Sequence, residues 1–267
     1  MKETSTTSGV STLLITWQAP ESRRIYPVAR LMRVASGELE LAYIRAALEA
    51  ERQGFKGLPG YEDLKQVYAS PELPALFESR RGSRGRRVHL EGELQPTAEP
   101  ANDVLDAAPV TIFVPGRAGA SAERLQVFAP PLSGVAGRHW GVFIVSGVGR
   151  VPGSAELVER LVANEELALV PEPDNAYNPH ALLVARISGP RVGYVPDYLA
   201  TELSRIPNAT ADFGVHLLAV HRINFAPAPP LYQVTCRYEC DAKLGRALFR
   251  SAAYEPLSPR AFRDEGG

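Results

Sequence analysis

Short apolar segments of strand character recur about every 8 to 15 residues between residues 108 and 240, and this spacing constrains the fold most. The segments are TIFVP, RLQVFAP, HWGVFIVSGVG, ELALVPEP, ALLVARI, RVGYVP, VHLLAVHRINF and LYQVTCRYEC. Two segments between them have helical character: SAELVERLVA, with Ser154 as a predicted N-cap, and DYLATELSRI. Many short strands with two small helices predict a closed or half-closed β-barrel domain over residues 109–255.

The residues before this region predict a separate, small α+β domain over 12–80. TLLITWQ, RRIYPVARLMRV and ELELAYI have strand character, and RAALEAERQGF is a helix of strong formers that Gly54 ends. YEDLKQVY predicts another short helix, and ELPALFESR a turn interrupted by proline. Residues 1–11 are polar and predict a disordered N-terminus, and residues 256–267 form a predicted tail.

A change of composition separates these two predicted domains. SRRGSRGRRVH holds five arginines, and the acidic, proline-rich segment EGELQPTAEPANDVLDAAP follows it. A basic run beside an acidic one, without periodicity, predicts a linker over 81–108. Arg84, Arg86 and Arg87 are candidate phosphate contacts, and a merely solvated run is the alternative.

The charge balance limits what kind of nucleic acid such a chain can bind. Its formal net charge is −1 at pH 7, whereas proteins that coat long duplex are usually strongly basic. Any nucleic-acid target is therefore expected to be a short or special feature, such as an end.

No motif of a known enzyme class is present. The sequence lacks a Walker A loop, a GxSxG elbow and an HExxH helix, so a non-catalytic protein without cofactor or metal is expected. Cys236 and Cys240 would share one face of a strand, which predicts plain packing rather than a disulfide. Without a run of ~18 apolar residues or a signal-peptide pattern, the expected location is the cytoplasm.

The segment EPDNAYNPHALLV, followed by RVGYVPDYLA, allows two interpretations. Asn and Asp side chains can bond their own backbone and so stabilise a tight hairpin loop. Alternatively, the same polar and aromatic residues form a recognition surface.

These two segments resemble the HIRAN domain, whose pattern is roughly D-N-x-Y-D-x-x-A followed by G-Y-V-P-x-x-x-A. FIVSGVGRVP and ELALVPEP match the first and second strands of that family, so the resemblance covers about residues 140 to 240. The whole chain also resembles standalone bacterial proteins that contain this domain. Its N-terminal segment weakly resembles the small N-terminal subdomain of HipA-type kinases.

The resemblance implies an OB-like barrel, which in eukaryotic fork-remodelling helicases captures the 3′-hydroxyl end of single-stranded DNA. By this resemblance, Asn175 hydrogen-bonds a terminal hydroxyl or base edge, and Tyr177 stacks on a base. Asn178 stands where the family usually has aspartate and keeps an acceptor oxygen without the charge. Tyr194 is the tyrosine of G-Y-V-P and belongs to the same implied site.

Other positions match less closely. Phe225 lies near the place of a base-stacking aromatic in the family, and Arg191 is a candidate phosphate contact. Gly149 stands where an arginine is common, and the neighbouring Arg150 is its candidate substitute. Asp197 stands where relatives carry a basic residue, and its charge would repel phosphate.

The function expected from this resemblance is non-catalytic recognition of single-stranded DNA ends or distorted DNA, in DNA repair or defence against foreign DNA such as phage. A partner nuclease, helicase or other defence protein would supply tight targeting. The alternative is a protein–protein interaction module, or a toxin–antitoxin-like accessory protein that uses the barrel as a scaffold. Exposed apolar patches on the N-terminal domain would favour this alternative, and a basic pocket around Tyr177 would favour DNA.

Overall fold

The structure, a computed structural model, describes residues 12–72, 76, 110–114, 123–148, 150–162, 164–205, 217–222 and 234–261. Within these ranges the chain is mostly β, with antiparallel sheets and a few short helices. The predominance of strands predicted from the sequence is confirmed, whereas the small α+β domain over 12–80 stays a prediction. The predicted features that lie outside the described residues are the N-terminus 1–11, the turn ELPALFESR apart from Glu72 and Leu76, the linker 81–108, Arg84, Arg86, Arg87, Gly149 and Phe225.

The first sheet has six strands in the order β4-β3-β2-β1-β6-β5. Its strands are β1 Thr12–Gln18, β2 Ile25–Arg33, β3 Leu39–Tyr43, β4 Tyr68–Ser70, β5 Val110–Val114 and β6 Glu123–Phe128. The helix α1 Ala47–Arg52 follows β3 and lies within the predicted helical segment. Strands β5 and β6 join this sheet through β1, so strand pairing crosses the predicted domain boundary at residue 109. The domain boundaries themselves stay a prediction.

The predicted helix over YEDLKQVY is wrong. After an isolated bridge between Leu58 and Tyr61, this segment runs through a turn and ends in the short strand β4. The Asp63 carboxylate accepts the amide of Lys65 at 2.9 Å, and the Tyr68 hydroxyl accepts the amide of Asp63 at 2.9 Å. These side chains take up the amides that a helix would have left unpaired at its first turn, and they stabilise a turn instead.

Two further sheets follow. Their strand orders are β12-β13-β8-β7 and β11-β10-β9. The strands are β7 Leu132–Ser133, β8 Arg138–Ile144, β9 Leu167–Pro171, β10 Leu182–Arg186, β11 Arg191–Tyr194, β12 Leu217–Arg222 and β13 Thr235–Asp241. The helices are α2 Ser154–Arg160, α3 Asp197–Arg205 and α4 Ala242–Ala247. Helices α2 and α3 lie where the sequence predicts them. None of the helices in the described ranges combines the length and apolar character needed to cross a membrane.

One bridge connects these two sheets within the described residues. The backbones of Ser146, just after β8, and Tyr194, at the end of β11, exchange two hydrogen bonds of 2.8 Å. Elsewhere in the described strands the two sheets share no ladder, so the predicted closed barrel is not shown.

The predicted N-cap of α2 is wrong by one residue. Gly153 is the N-cap, with a left-handed backbone at φ 75°, and Ser154 is already inside the helix and fully buried. A left-handed cap position suits glycine because it has no Cβ, and serine would adopt it only at a cost.

One hydrophobic core joins the first sheet to the two later ones. Phe128 of β6 stacks on Tyr198 of α3, with ring centroids 4.3 Å apart and planes at 21°. Leu14, Ile25 and Ile44 of the N-terminal region belong to the same buried cluster as the helix residues. The N-terminal sheet and the later sheets are therefore held together by shared apolar burial.

The two cysteines lie on one face of β13, inside this core. Cys236 and Cys240 are buried free thiols, as the packing interpretation predicts. Burial raises the pKa of Cys240 to about 12, so this thiol stays protonated at neutral pH.

Glu202 on α3 should make stability depend on pH. This residue is only 2% exposed, and its carboxylate accepts the Phe249 amide at 2.9 Å and an Arg205 N–H at 2.8 Å. Burial raises the pKa of Glu202, although both donors oppose that shift. A raised pKa in the folded state gives stability that is present at low pH and lost as the pH rises through that pKa.

Glu202→Gln removes this titration but keeps the shape of the side chain. The free energy of unfolding of the native protein, minus that of the variant, should therefore decrease as the pH rises from about 4 to about 8. Denaturant titrations at several pH values would measure this difference. A difference that increases with pH would mean that the folded protein lowers the pKa of Glu202.

Candidate nucleic-acid interface

The β9–β10 loop, residues 172–181, is stabilised by hydrogen bonds among its own residues. The Asn175 Oδ1 accepts the amides of Tyr177 at 3.0 Å and Asn178 at 3.1 Å. The loop closes through the Glu172 amide, which donates to the Ala181 carbonyl at 2.9 Å. Asn175 therefore fixes the conformation of this loop, as the hairpin interpretation of the sequence expects.

Glu172 lies at the centre of the polar contacts around this loop. Its Oε2 accepts the Asn175 Nδ2 at 2.6 Å and the Tyr194 hydroxyl at 3.0 Å. Its Oε1 lies 3.4 Å from the Arg191 guanidinium. No local sequence pattern marks this carboxylate, because only the fold brings donors from the loop and from β11 around it.

The Tyr194 side chain is fixed by its contacts and is not fully exposed to solvent. It is half-buried, and a Cβ added at Gly147 would lie 3.3 Å from its ring, so the turn after β8 passes close to it. Burial and then the bond to Glu172 raise the pKa of Tyr194, which keeps its hydroxyl protonated. Arg150 is exposed in that same turn, where its amide donates to the Gly147 carbonyl at 2.9 Å.

Asn178 and Asp197, two of the three departures from the family pattern, are in direct contact. The Asn178 Nδ2 donates to the Asp197 Oδ1 at 3.0 Å, and the Asn178 Oδ1 accepts the His180 amide at 2.9 Å. The Asp197 Oδ2 accepts the Ile25 amide at 3.2 Å. Asn178 is 4% exposed, so it lies beneath the loop and supports it. Asp197 connects the loop to the N-terminal sheet.

Tyr177 differs from these neighbours because it is 79% exposed. Its amide is fixed by Asn175, so an exposed aromatic side chain stands on an ordered backbone. The structure thus brings together six of the predicted site residues, namely Arg150, Asn175, Tyr177, Asn178, Arg191 and Tyr194.

A family model for the HIRAN domain matches residues 140–241, the region that contains this loop. Residues 140–241 are a HIRAN domain. The match confirms the resemblance predicted from the sequence, and HIRAN domains are a family of DNA-binding domains. A similar solved structure is the crystal structure of the HIRAN domain of human HLTF, with 19% sequence identity and a TM-score of 0.32. The similarity covers 45% of this chain and 92% of that one. No curated protein sequence matches the chain.

The HIRAN domain presents a mixed electrostatic surface at this loop. Arg150 and Arg191 are exposed, but the carboxylate of Glu172 lies beside Arg191. An exposed ion pair of this kind is weak, so Arg191 can exchange its carboxylate for a phosphate at little cost. Among the described residues at this loop, the arrangement offers one exposed aromatic face and two exposed cations.

Proposed function

We propose that the HIRAN domain binds the 3′ end of single-stranded DNA, or distorted DNA, without catalysing a reaction. The observation that carries this proposal is the 79% exposed side chain of Tyr177 on a loop whose backbone is already fixed. Stacking of a base on an aromatic ring is worth about 1–3 kcal/mol and tolerates any base sequence. A pre-ordered loop loses little further conformational entropy on binding.

Glu172 supports selection of a hydroxyl end. A carboxylate accepts a hydrogen bond from a hydroxyl but repels a phosphate. Asn175 uses one amide hydrogen on Glu172 and has a second one left, and Tyr194 donates its only hydrogen and retains acceptor capacity. A 3′-hydroxyl can therefore both donate and accept here.

The expected affinity of such a site is modest, since it rests on one stacked base and one or two phosphate contacts. Tight targeting then requires a second binding element, because linked weak contacts gain affinity through effective concentration. We propose that a partner nuclease, helicase or other protein of DNA repair or of defence against foreign DNA supplies it.

A titration of the full chain with single-stranded oligonucleotides tests this function. Oligonucleotides that end in a 3′-hydroxyl should bind at least about fivefold more tightly than those that end in a 3′-phosphate. This ratio of dissociation constants corresponds to the free energy of about one hydrogen bond. A phosphate at the 5′ end should change little and serves as the matched control. Equal affinity for both 3′ ends would contradict end recognition, and no binding to any DNA would contradict the function.

The interaction-module alternative gains no support from the described residues. The described residues include five large hydrophobic side chains that are exposed. Four of them belong to the HIRAN domain, namely Val162, Val170, Tyr177 and Ile187. Leu48 is the one in the N-terminal sheet region, where the alternative requires an apolar patch.

A further inference from the structure

The β1–β2 turn, residues 19–24, displays two arginines on an ordered backbone. Arg23 and Arg24 are both exposed. The Ala19 amide donates to the Arg24 carbonyl at 2.9 Å, and the Gln18 Nε2 donates to the Arg23 carbonyl at 2.8 Å. Arg23 has φ 60°, a left-handed conformation that is uncommon for a residue with a side chain.

This turn lies next to the β9–β10 loop. The Asp197 carboxylate accepts both the Ile25 amide, at 3.2 Å, and the Asn178 Nδ2, at 3.0 Å. Arg24 precedes Ile25, whose backbone contacts Asp197, and Tyr177 precedes Asn178, whose side chain contacts the same carboxylate, so the turn and the loop are neighbours at this junction. A single strand of several nucleotides that stacks on Tyr177 could therefore extend to the turn.

The charges of the turn are available for a ligand. Within the described part of the chain, no carboxylate lies within 4 Å of the guanidinium groups of Arg23 or Arg24, whereas Arg191 already faces Glu172. Arg24 lies over the Tyr26 ring at 5.5 Å, a cation–π contact that orients it. Glu21 is exposed in the same turn and leaves it a net charge of one positive unit.

We propose that the β1–β2 turn is the second half of the DNA-binding surface. Arg23 and Arg24 bind phosphates of the strand whose terminal base stacks on Tyr177, so the site extends from the HIRAN domain onto the N-terminal sheet. This inference rests on the proposed function. It also explains how a site with Asp197 at its edge gains positive charge, since the same carboxylate holds the arginine turn in place.

The test compares salt dependence of binding for the native chain and an Arg23→Asn/Arg24→Gln variant. Asparagine tolerates the left-handed conformation at position 23, so the turn should keep its shape. For an oligonucleotide of about 12 nucleotides, the plot of log K against log salt should lose about 1.4 of its slope, or ~0.7 for each phosphate contact. Affinity at about 0.1 M salt should fall about tenfold. An oligonucleotide of about 3 nucleotides, which cannot reach the turn, should bind equally to both proteins.

Lys65→Gln/Arg260→Gln is the matched control. Both residues are exposed, and their neighbours Val67 and Ala261 pack at the far end of β2, about 25 Å from Ile25. Arg23→Lys/Arg24→Lys should retain the native slope, and all variants should melt like the native chain.

The result expected is a slope change in the turn variant alone. If the turn variant has the same salt-dependence slope as the control while Tyr177→Ala still weakens binding, this inference is wrong and the proposed function stands. A native chain that binds neither oligonucleotide overturns both.

Discussion

Tyr177→Ala is expected to weaken binding of single-stranded DNA by about 1–3 kcal/mol, or about fivefold to 150-fold in Kd, because one stacked base is lost. The side chain is 79% exposed and only its amide bonds the loop, so the free energy of unfolding should change by less than about 0.5 kcal/mol. Fluorescence anisotropy with a labelled oligonucleotide measures the first quantity, and thermal unfolding checks the second.

Two further variants control this result. Tyr177→Phe keeps the aromatic face and should retain most of the affinity. Ile187→Ala removes another exposed apolar side chain of the HIRAN domain, 59% exposed, and should leave binding unchanged. If Tyr177→Ala lowers the melting temperature while DNA binding per folded molecule stays the same, the loop is a scaffold and the DNA proposal is wrong.

Exchanging the side chains of Asn178 and Asp197 should reveal their coupling. Asn178→Asp places two carboxylates about 3 Å apart, and Asp197→Asn leaves one acceptor oxygen for the donors of Asn178 and Ile25. Each single substitution should cost about 1–3 kcal/mol of unfolding free energy. In the double variant the new aspartate accepts from the new asparagine, whose oxygen accepts the Ile25 amide, so most of the stability should return.

Denaturant unfolding of the four proteins measures a coupling free energy of about 0.5–3 kcal/mol. Asn178→Asp alone should also lose stability as the pH rises above about 4, since neighbouring carboxylates raise the pKa of one of them. Additive costs in the double variant would show that the contact between these residues does not support the loop.

Local sequence patterns predicted the local elements well. Helices α2 and α3, strands β9 to β11 and the span of the HIRAN domain lie where the residues indicate, because periodicity and turn residues are properties of short segments. The helix predicted over YEDLKQVY does not form because the side chains of Asp63 and Tyr68 accept backbone amides of the turn. Such contacts between side chain and backbone compete with helix formation.

Contacts between distant segments could not be predicted in this way. β1 pairs with β6 across more than a hundred residues, and no local pattern encodes such a partner. The roles of Glu172 and Asp197 have the same origin. From the sequence, Asp197 looked unfavourable as a negative charge near phosphate and Glu172 had no role, and only the fold supplies the donors that each carboxylate accepts.

The stack of Phe128 on Tyr198 has an evolutionary consequence. One face of α3 packs against the neighbouring sheet. The HIRAN domain of this chain is therefore expected to depend on that sheet for part of its stability. A gene fusion that carried residues 140–241 by themselves would expose the aromatic face of Tyr198 and lose the Ile25 amide that holds Asp197. Substitutions on either side of the contact between Phe128 and Tyr198 are therefore expected to depend on one another.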